Sequence, residues 1–154
     1  LSEGGTPTFW NGSNWVFPNN YFDNQDPMTG TLLFPIPDEE RNLIFSADYS
    51  STDDLVGCDC RVLRDRVVTI PGETTLKLYS ELIVEDELIL IDDNGDPLPA
   101  IPAGNITFGD DASLIQTKAV MTNANAGTIK MQREASDLNL NDYMYWASPV
   151  TGFD

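Results

Sequence analysis

The sequence predicts an all-β protein, and two observations lead to this fold class. Short runs of apolar or alternating apolar and polar residues recur along the chain, and small polar turns rich in Gly, Pro, Asn and Asp separate them. Helical periodicity is hard to find anywhere in the chain. The 154 residues are 41% hydrophobic, which is enough apolar material for one packed domain.

The predicted strands cover residues 42–45, 66–70, 75–78, 82–84, 87–91, 105–108, 113–116 and 128–131. Apolar residues of these strands are expected to supply most of the core, stacked in rows between successive circuits. The predicted core residues are Val68, Ile70, Leu76, Leu78, Leu82, Val84, Leu88, Leu90, Ile106, Phe108, Leu114, Ile115, Ile129 and Met131.

Two architectures fit strands of this length, a parallel β-solenoid and an antiparallel β-sandwich. Hairpins favour two-residue loops such as Asn-Gly, and among the turns between the predicted strands only Asn94-Gly95 offers one. The repeated pattern of a short strand, a polar corner and another short strand is typical of solenoid circuits. The repeat is degenerate, so the sandwich remains the alternative.

The chain divides into three parts by composition. Residues 1–41 are predicted to form a loop-rich N-terminal cap with aromatic anchors, and residues 42–137 form the solenoid, with a Pro- and Asp-rich insertion at about 92–104. Residues 138–154 are interpreted as the start of a following segment or domain.

The aromatic residues of the N-terminal part allow two interpretations. Trp10, Trp15 and Tyr21 could form a platform on which sugar rings stack, which makes them the candidate carbohydrate-binding residues. Alternatively, these residues plug the open end of a solenoid, whose terminal circuit would otherwise expose its core. The plug is favoured because every solenoid needs a cap.

Charge excludes several classes of function. The chain has 8 Lys and Arg against 25 Asp and Glu, a formal charge of -17, so it has no basic footprint for nucleic acid or anionic lipid. It contains no His, which removes His-based catalytic triads and His-ligated zinc. No apolar run approaches the ~20 residues of a membrane-spanning helix.

The two cysteines, Cys58 and Cys60, are expected to be free thiols. Residues two apart on a strand project from the same face, and a disulfide between them would distort the backbone. Nucleophilic thiol chemistry is not expected, because no His is available to activate either thiol. Together with the lack of any other catalytic constellation, this predicts a protein that is not an enzyme.

One acidic loop is a candidate metal site. Asp92, Asn94 and Asp96 present oxygen ligands at alternate positions, as the first half of a calcium loop does, so Ca²⁺ is the candidate ion. The twelfth position of such a loop is Ala103 rather than a bidentate Glu, which favours an ordinary acidic surface turn. The pairs Asp53-Asp54 and Asp110-Asp111 are interpreted as solvated corners.

A set of short motifs, in their order along the chain, resembles a secreted surface-protein module of Bacteroidetes and Flavobacteria. The motifs are Trp10-Asn11-Gly12-Ser13-Asn14-Trp15, Val68-Thr69-Ile70-Pro71-Gly72, Gly127-Thr128-Ile129-Lys130-Met131 and Tyr143-Met144-Tyr145-Trp146-Ala147-Ser148-Pro149-Val150. The resemblance covers roughly residues 9 to 150. The solenoid circuits of that module are usually nearly uncharged, whereas this sequence has charged residues such as Arg61, Arg64 and Glu85.

The resemblance implies a right-handed parallel β-solenoid, exported to the cell surface by type IX secretion and acting as an adhesin-like structural module. Neighbouring domains of the same chain, other surface proteins and glycans are the expected partners. The alternative function is a carbohydrate-binding or carbohydrate-active module that uses the N-terminal aromatic residues and the acidic loops.

Overall fold

The computed structural model describes residues 6–16, 37–118 and 124–134, and within them it contains strands, turns and bends but no helix. The prediction of an all-β protein is therefore confirmed. None of the described residues belongs to an apolar helix of membrane-spanning length. The strands are β1 (Thr6–Trp10), β2 (Trp15–Val16), β3 (Arg41–Phe45), β4 (Tyr49–Ser50), β5 (Leu55–Gly57), β6 (Cys60–Val62), β7 (Val67–Ile70), β8 (Thr75–Leu78), β9 (Leu82–Val84), β10 (Asn105–Phe108), β11 (Ser113–Gln116) and β12 (Ile129–Met131).

The strands form three sheets. Sheet I has the order β2-β1-β3-β6-β9, sheet II has β12-β10-β7-β4, and sheet III has β11-β8-β5. Every pairing between these strands is parallel except that of β1 with β2. An antiparallel β-sandwich, the alternative left open by the sequence, does not describe this pairing.

The chain visits the three sheets in a fixed cyclic order. We call one passage through sheets I, II and III a circuit. The first circuit consists of β3, β4 and β5, the second of β6, β7 and β8, and the third of β9, β10 and β11. A parallel bridge from Ile83 to Ala126 returns the chain to sheet I before β12 pairs with β10 on sheet II.

Equivalent residues of successive circuits lie side by side, so their inward side chains form rows. Leu43 pairs with Cys60, and Cys60 pairs with Leu82, on sheet I. The predicted core residues that are buried are Val68, Ile70, Leu76, Leu78, Leu82, Val84, Ile106, Phe108 and Leu114. Ile129 and Met131 are half-buried and pack against that core.

Three residues predicted to be in the core are not buried there. Leu88 is 38% exposed, and Leu90 is half-buried, because residues 88–101 leave the third circuit as an irregular hairpin. Antiparallel bridges join Leu88 to Ile101 and Ile91 to Pro97. The insertion therefore begins before the predicted boundary at about residue 92, and the strand predicted over 87–91 belongs to it.

Ile115 is the third correction, since it is 46% exposed. It follows the inward-facing Leu114 on β11. Two consecutive residues of a strand point to opposite faces, so both could not enter the core.

Acidic side chains at the corners of one circuit bind backbone groups of the next. The Asp48 carboxylate accepts a 2.8 Å hydrogen bond from the N–H of Val67, and Asp54 accepts one of the same length from Thr75. Asp110 accepts a 2.8 Å bond from the N–H of Glu134. Val67 and Thr75 are the first residues of β7 and β8, and their N–H groups, like that of Glu134, need a hydrogen-bond partner that these carboxylates provide.

The N-terminal part contains two strands that the sequence did not predict. β1 lies parallel to β3 along all five of its residues, and the antiparallel strand β2 follows it. The predicted following segment at residues 138–154 lies outside the described residues.

Candidate functional site

The tryptophans of the N-terminal part meet the first circuit in an aromatic cluster, defined as Trp10, Trp15, Phe45 and Tyr49. The ring centroid of Trp10 lies 4.8 Å from that of Tyr49 and 5.7 Å from that of Trp15. Trp15 lies 5.3 Å from Phe45 and 5.8 Å from Tyr49. These distances are typical of favourable tilted and edge-to-face aromatic pairs.

The polar groups of the aromatic cluster are also used within the fold. The Trp10 Nε1–H donates a 3.0 Å hydrogen bond to the carbonyl oxygen of Asp48. Trp15 is only 8% exposed, and burial raises the pKa of Tyr49. Of the candidate sugar-binding residues, Trp10 is half-buried, and Tyr21 lies outside the described residues.

The candidate calcium ligands lie at the tip of the hairpin. The Asp92 Oδ1 accepts 2.8 Å hydrogen bonds from the N–H groups of Asn94 and Asp96. These bonds lower the pKa of Asp92, and the bond from Asp96 has the larger effect. The Asn94 side chain donates to the other Asp92 oxygen at 3.3 Å. The carboxylate thus closes an Asx turn around Gly95, whose φ is 86°.

The described residues contain no group of three or more Cys, Asp and Glu side chains arranged to hold a metal ion. At the hairpin tip, the Asp92 oxygens are directed at hydrogen-bond donors of the turn. The arrangement is that of a turn stabilised by its own carboxylate.

The outer face of sheet I forms an open groove of about 480 Å³. Phe9, Ile44, Arg61 and Ile83 lie in one row across it, because β1, β3, β6 and β9 pair in register. Asn42, Asp59 and Glu81 line the groove beside the starts of their strands. Its volume falls within the range of small-molecule sites, and its floor is largely apolar.

Glu85 binds two arginines at one end of the groove. Its carboxylate lies 3.2 Å from Arg61 Nη1 and 3.0 Å from Arg64 Nη1, and its side chain is only 17% exposed. The two arginines belong to the second circuit, and Glu85 follows β9 of the third. The Glu85 carboxylate therefore offsets part of the positive charge of the two arginines and joins two circuits.

Asp59 lies at the other end of the groove and is 6% exposed. Its Oδ1 accepts a 3.3 Å hydrogen bond from the N–H of Glu81, whereas its buried Oδ2 has no hydrogen-bond partner among the described residues. The unpaired oxygen is itself buried, so it is not accessible to a molecule in the groove.

The cysteines next to Asp59 are buried, and no disulfide joins them, as the sequence predicts. Burial, with a smaller contribution from the charge of Asp59, raises the pKa of the Cys60 thiol far above its usual range. The thiol is therefore protonated near neutral pH, and a protonated thiol is a weak nucleophile.

Comparison with known proteins gives one family. Residues 9–154 match the family described as a domain of unknown function, DUF8693. The chain belongs to the DUF8693 family. No curated protein and no solved structure matches the chain significantly.

Sequence reasoning on this DUF8693 chain identified the aromatic residues and the acidic turn but missed the groove. The groove depends on which residues of different circuits become neighbours. The spacing between Leu43, Cys60 and Leu82 is unequal, so no fixed repeat places Asp59 beside Glu81. The only signal in the sequence was the departure of Arg61, Arg64 and Glu85 from uncharged circuits.

Proposed function

We propose that this chain is a non-catalytic structural module, a right-handed parallel β-solenoid within a large secreted or cell-surface bacterial protein. The cyclic order of the three sheets and the parallel pairing of successive circuits support the solenoid. The right-handed sense follows from the strong preference for right-handed crossovers between parallel strands of one sheet.

The use of acidic corner residues to join circuits carries this proposal. Asp48 and Asp54 of the first circuit bind backbone N–H groups at the starts of strands in the second. Glu85 similarly binds Arg61 and Arg64 across circuits. The carboxylates of Asp48, Asp54 and Glu85 are thus used to join circuits.

The aromatic cluster supports the same proposal. Trp15 is buried against Phe45, and Trp10 donates its indole N–H to the backbone of the first circuit. Such packing is expected of a cap that covers the first circuit of a solenoid.

Location and mode of export rest on the resemblance to surface modules of Bacteroidetes. A strongly acidic chain is compatible with a well-hydrated extracellular surface. Type IX secretion and an adhesive role in the full protein are part of the proposal. The adhesive partners would be neighbouring domains or other surface proteins.

A carbohydrate-binding module is the second candidate. Trp10 is half-buried rather than fully enclosed, and Phe9 on the same strand lines the open groove of sheet I. An aromatic ring beside polar groove residues is a common arrangement for binding a sugar ring.

Thermal unfolding of corner variants, paired with a glycan array, tests the structural proposal. Asp48→Ala and Asp54→Ala should each lower the unfolding free energy by about 1 kcal/mol, since each removes a hydrogen bond between circuits. Asp93→Ala is the matched control, because it removes an equal charge from the exposed hairpin tip.

The wild-type chain should bind no glycan on the array. Glycan binding that disappears in Trp10→Ala without a change in melting temperature would support the carbohydrate-binding function instead. If the two corner variants melt at the same temperature as Asp93→Ala, the corner carboxylates do not stabilise the packing of successive circuits. That result would contradict the structural proposal.

A further inference from the structure

The hairpin at residues 88–101 carries unusually exposed apolar side chains. Ile89 is 72% exposed, Ile91 is 68% exposed and Leu98 is 46% exposed. Ile89 and Ile91 are two residues apart and share one face of the first hairpin strand, whereas Leu98 pairs with Leu90 and lies on the other face. Single exposed apolar residues are common on protein surfaces, but neighbouring ones on one face can mark an interaction site. The hairpin lies outside the buried core, so folding of the circuits does not explain these residues.

The backbone of the first hairpin strand also has an open edge. Leu88 and Ile101 exchange two hydrogen bonds of 2.9 Å, and Leu90 accepts one from Leu98, so these residues face the second hairpin strand. Hydrogen-bonding groups alternate along an antiparallel strand, so those of Ile89 and Ile91 point the other way. The N–H groups of Ile89 and Ile91 form no hydrogen bond with any described residue.

The second hairpin strand cannot offer an equivalent edge. It contains Pro97 and Pro99, and Pro102 follows it. Proline has no N–H to donate, which is a usual protection of sheet edges against pairing. The first strand contains no proline and keeps its edge open.

Charge around the hairpin determines which partner fits. Asp86, Glu87, Asp92, Asp93 and Asp96 flank the apolar residues, and residues 86–104 contain no Lys or Arg. A second copy of this chain would bring the same carboxylates and a net charge of -17 to the interface. Like charges facing each other disfavour that contact, whereas basic residues would complement it.

We propose that the hairpin edge at residues 87–91 docks an extended segment of another protein, in which apolar and basic residues alternate, by β-strand addition. The partner's backbone would accept hydrogen bonds from the N–H groups of Ile89 and Ile91. Its apolar side chains would pack on the two isoleucines, and its basic side chains would face the flanking carboxylates. This docking site is independent of the proposed structural role.

Calorimetric titration with synthetic peptides tests the proposal. The probe is a short acetylated and amidated peptide in which lysine and valine alternate. The double variant Ile89→Thr/Ile91→Thr keeps β-branched side chains and the charge, but it should weaken binding about tenfold because apolar contact is lost. Ile115→Thr, an exposed isoleucine on β11, is the matched control and should leave the affinity unchanged.

Two further peptides examine the charge and the backbone. Replacing lysine by glutamate should abolish binding. N-methylation of the residues that pair with the hairpin edge should weaken it, since the methyl groups block the approach of a second strand. The melting temperature of the double variant should equal that of the wild type, which excludes misfolding as the cause.

Equal binding of the lysine peptide by the wild type and the double variant would overturn the proposal, because it would mean general attraction of a cation to an acidic protein. No binding by the wild type at low salt would also overturn it. Sedimentation also measures the oligomeric state. If the wild type forms dimers and the double variant does not, the hairpin edge binds a second copy of this chain, contrary to the proposal.

Discussion

The ring of Trp15 packs edge-on against the ring of Phe45, with 5.3 Å between the centroids and 63° between the planes. Trp15 belongs to β2 of the N-terminal part, and Phe45 is a fully buried residue of β3. This contact therefore joins the N-terminal part to the core of the first circuit. Removal of the indole ring would expose the edge of that core to water.

Trp15→Ala should lower the unfolding free energy by about 3–5 kcal/mol, the usual cost of deleting a buried large aromatic side chain. Trp15→Phe should cost less, because a smaller ring retains part of the contact with Phe45. Denaturant unfolding followed by circular dichroism measures both values. Equal stability of the alanine variant and the wild type would mean that Trp15 does not contribute to the cap.

The contrast between Leu78 and Leu90 tests the boundary of the core. Leu78 is completely buried on β8, whereas Leu90 is half-buried in the hairpin. Leu78→Ala should cost about 2–5 kcal/mol, and Leu90→Ala should cost clearly less because the hairpin lies outside the rows of the core. The same unfolding measurement applied to both variants compares them directly. Similar losses would place the hairpin within the cooperative core.

Alternation made part of this core predictable. Val68 and Ile70 on β7 and Ile106 and Phe108 on β10 are buried at alternate positions, as the pattern of apolar residues indicates. The pattern failed at Leu88 and Leu90, which lie in the hairpin outside the three sheets. An apolar strand in such a hairpin has the same local sequence pattern as a strand of the core. The antiparallel bridges from Leu88 to Ile101 and from Ile91 to Pro97 distinguish the hairpin strand from those of the sheets.

The sites were less predictable than the core. The type of the residues at the hairpin tip suggested calcium, but Asp92 directs one oxygen to two backbone donors of its own turn. The burial of Asp59 and its position beside Glu81 depend on register between circuits. Register is set by pairing over the whole sheet, and circuits of unequal length conceal it in the sequence.

Gly127 is expected to be intolerant of substitution. Its φ is 84°, a left-handed conformation that L-residues with a side chain rarely adopt, and an added Cβ would collide with the backbone of Val84. Gly127→Ala should therefore disrupt the contact of residues 126–127 with β9 of sheet I and lower the melting temperature. Gly95→Ala is the matched control, since Gly95 has a similar φ of 86° but open space around it.

Comparison of the two glycine variants separates the backbone strain of a positive φ from the steric clash of an added Cβ with Val84. Both lose the freedom of glycine at positive φ, but only Gly127→Ala adds a clash with a neighbouring circuit. Faster hydrogen exchange at β12 in Gly127→Ala than in Gly95→Ala would be the signature of that clash. Equal melting temperatures for the two variants would show that the approach to Val84 is not required.

Calcium should leave the melting temperature of the wild type unchanged, because the Asp92 carboxylate is already used by its own turn. A ligand that binds only the folded state raises stability by mass action, so differential scanning calorimetry with and without calcium is a direct test. Asp92→Asn retains an acceptor oxygen for the turn but removes the charge. A calcium-dependent increase in the wild type that Asp92→Asn abolishes would establish the metal site predicted at Asp92, Asn94 and Asp96.

Titration of the Cys60 thiol should make the fold less stable in alkaline solution. Burial holds the pKa of Cys60 above its value in the unfolded chain, which is about 8.5. Below that value the thiol is protonated in both states, and its contribution to stability is fully present. Above it, only the unfolded chain loses the proton, so the unfolding free energy falls by up to about 1.4 kcal/mol per pH unit.

Urea unfolding at a series of pH values between about 7.5 and 9 measures this slope, in a window below the ordinary titration of tyrosine at about 10. Tyr49 also has a raised pKa, so its titration adds a loss of the same sign only at higher pH. Cys60→Ala should be less stable than the wild type at neutral pH because it leaves a cavity, but it should lack the part of the slope due to this thiol. A slope identical in the wild type and in Cys60→Ala would mean that the thiol ionises without opposing the fold, contrary to its burial between Leu43 and Leu82.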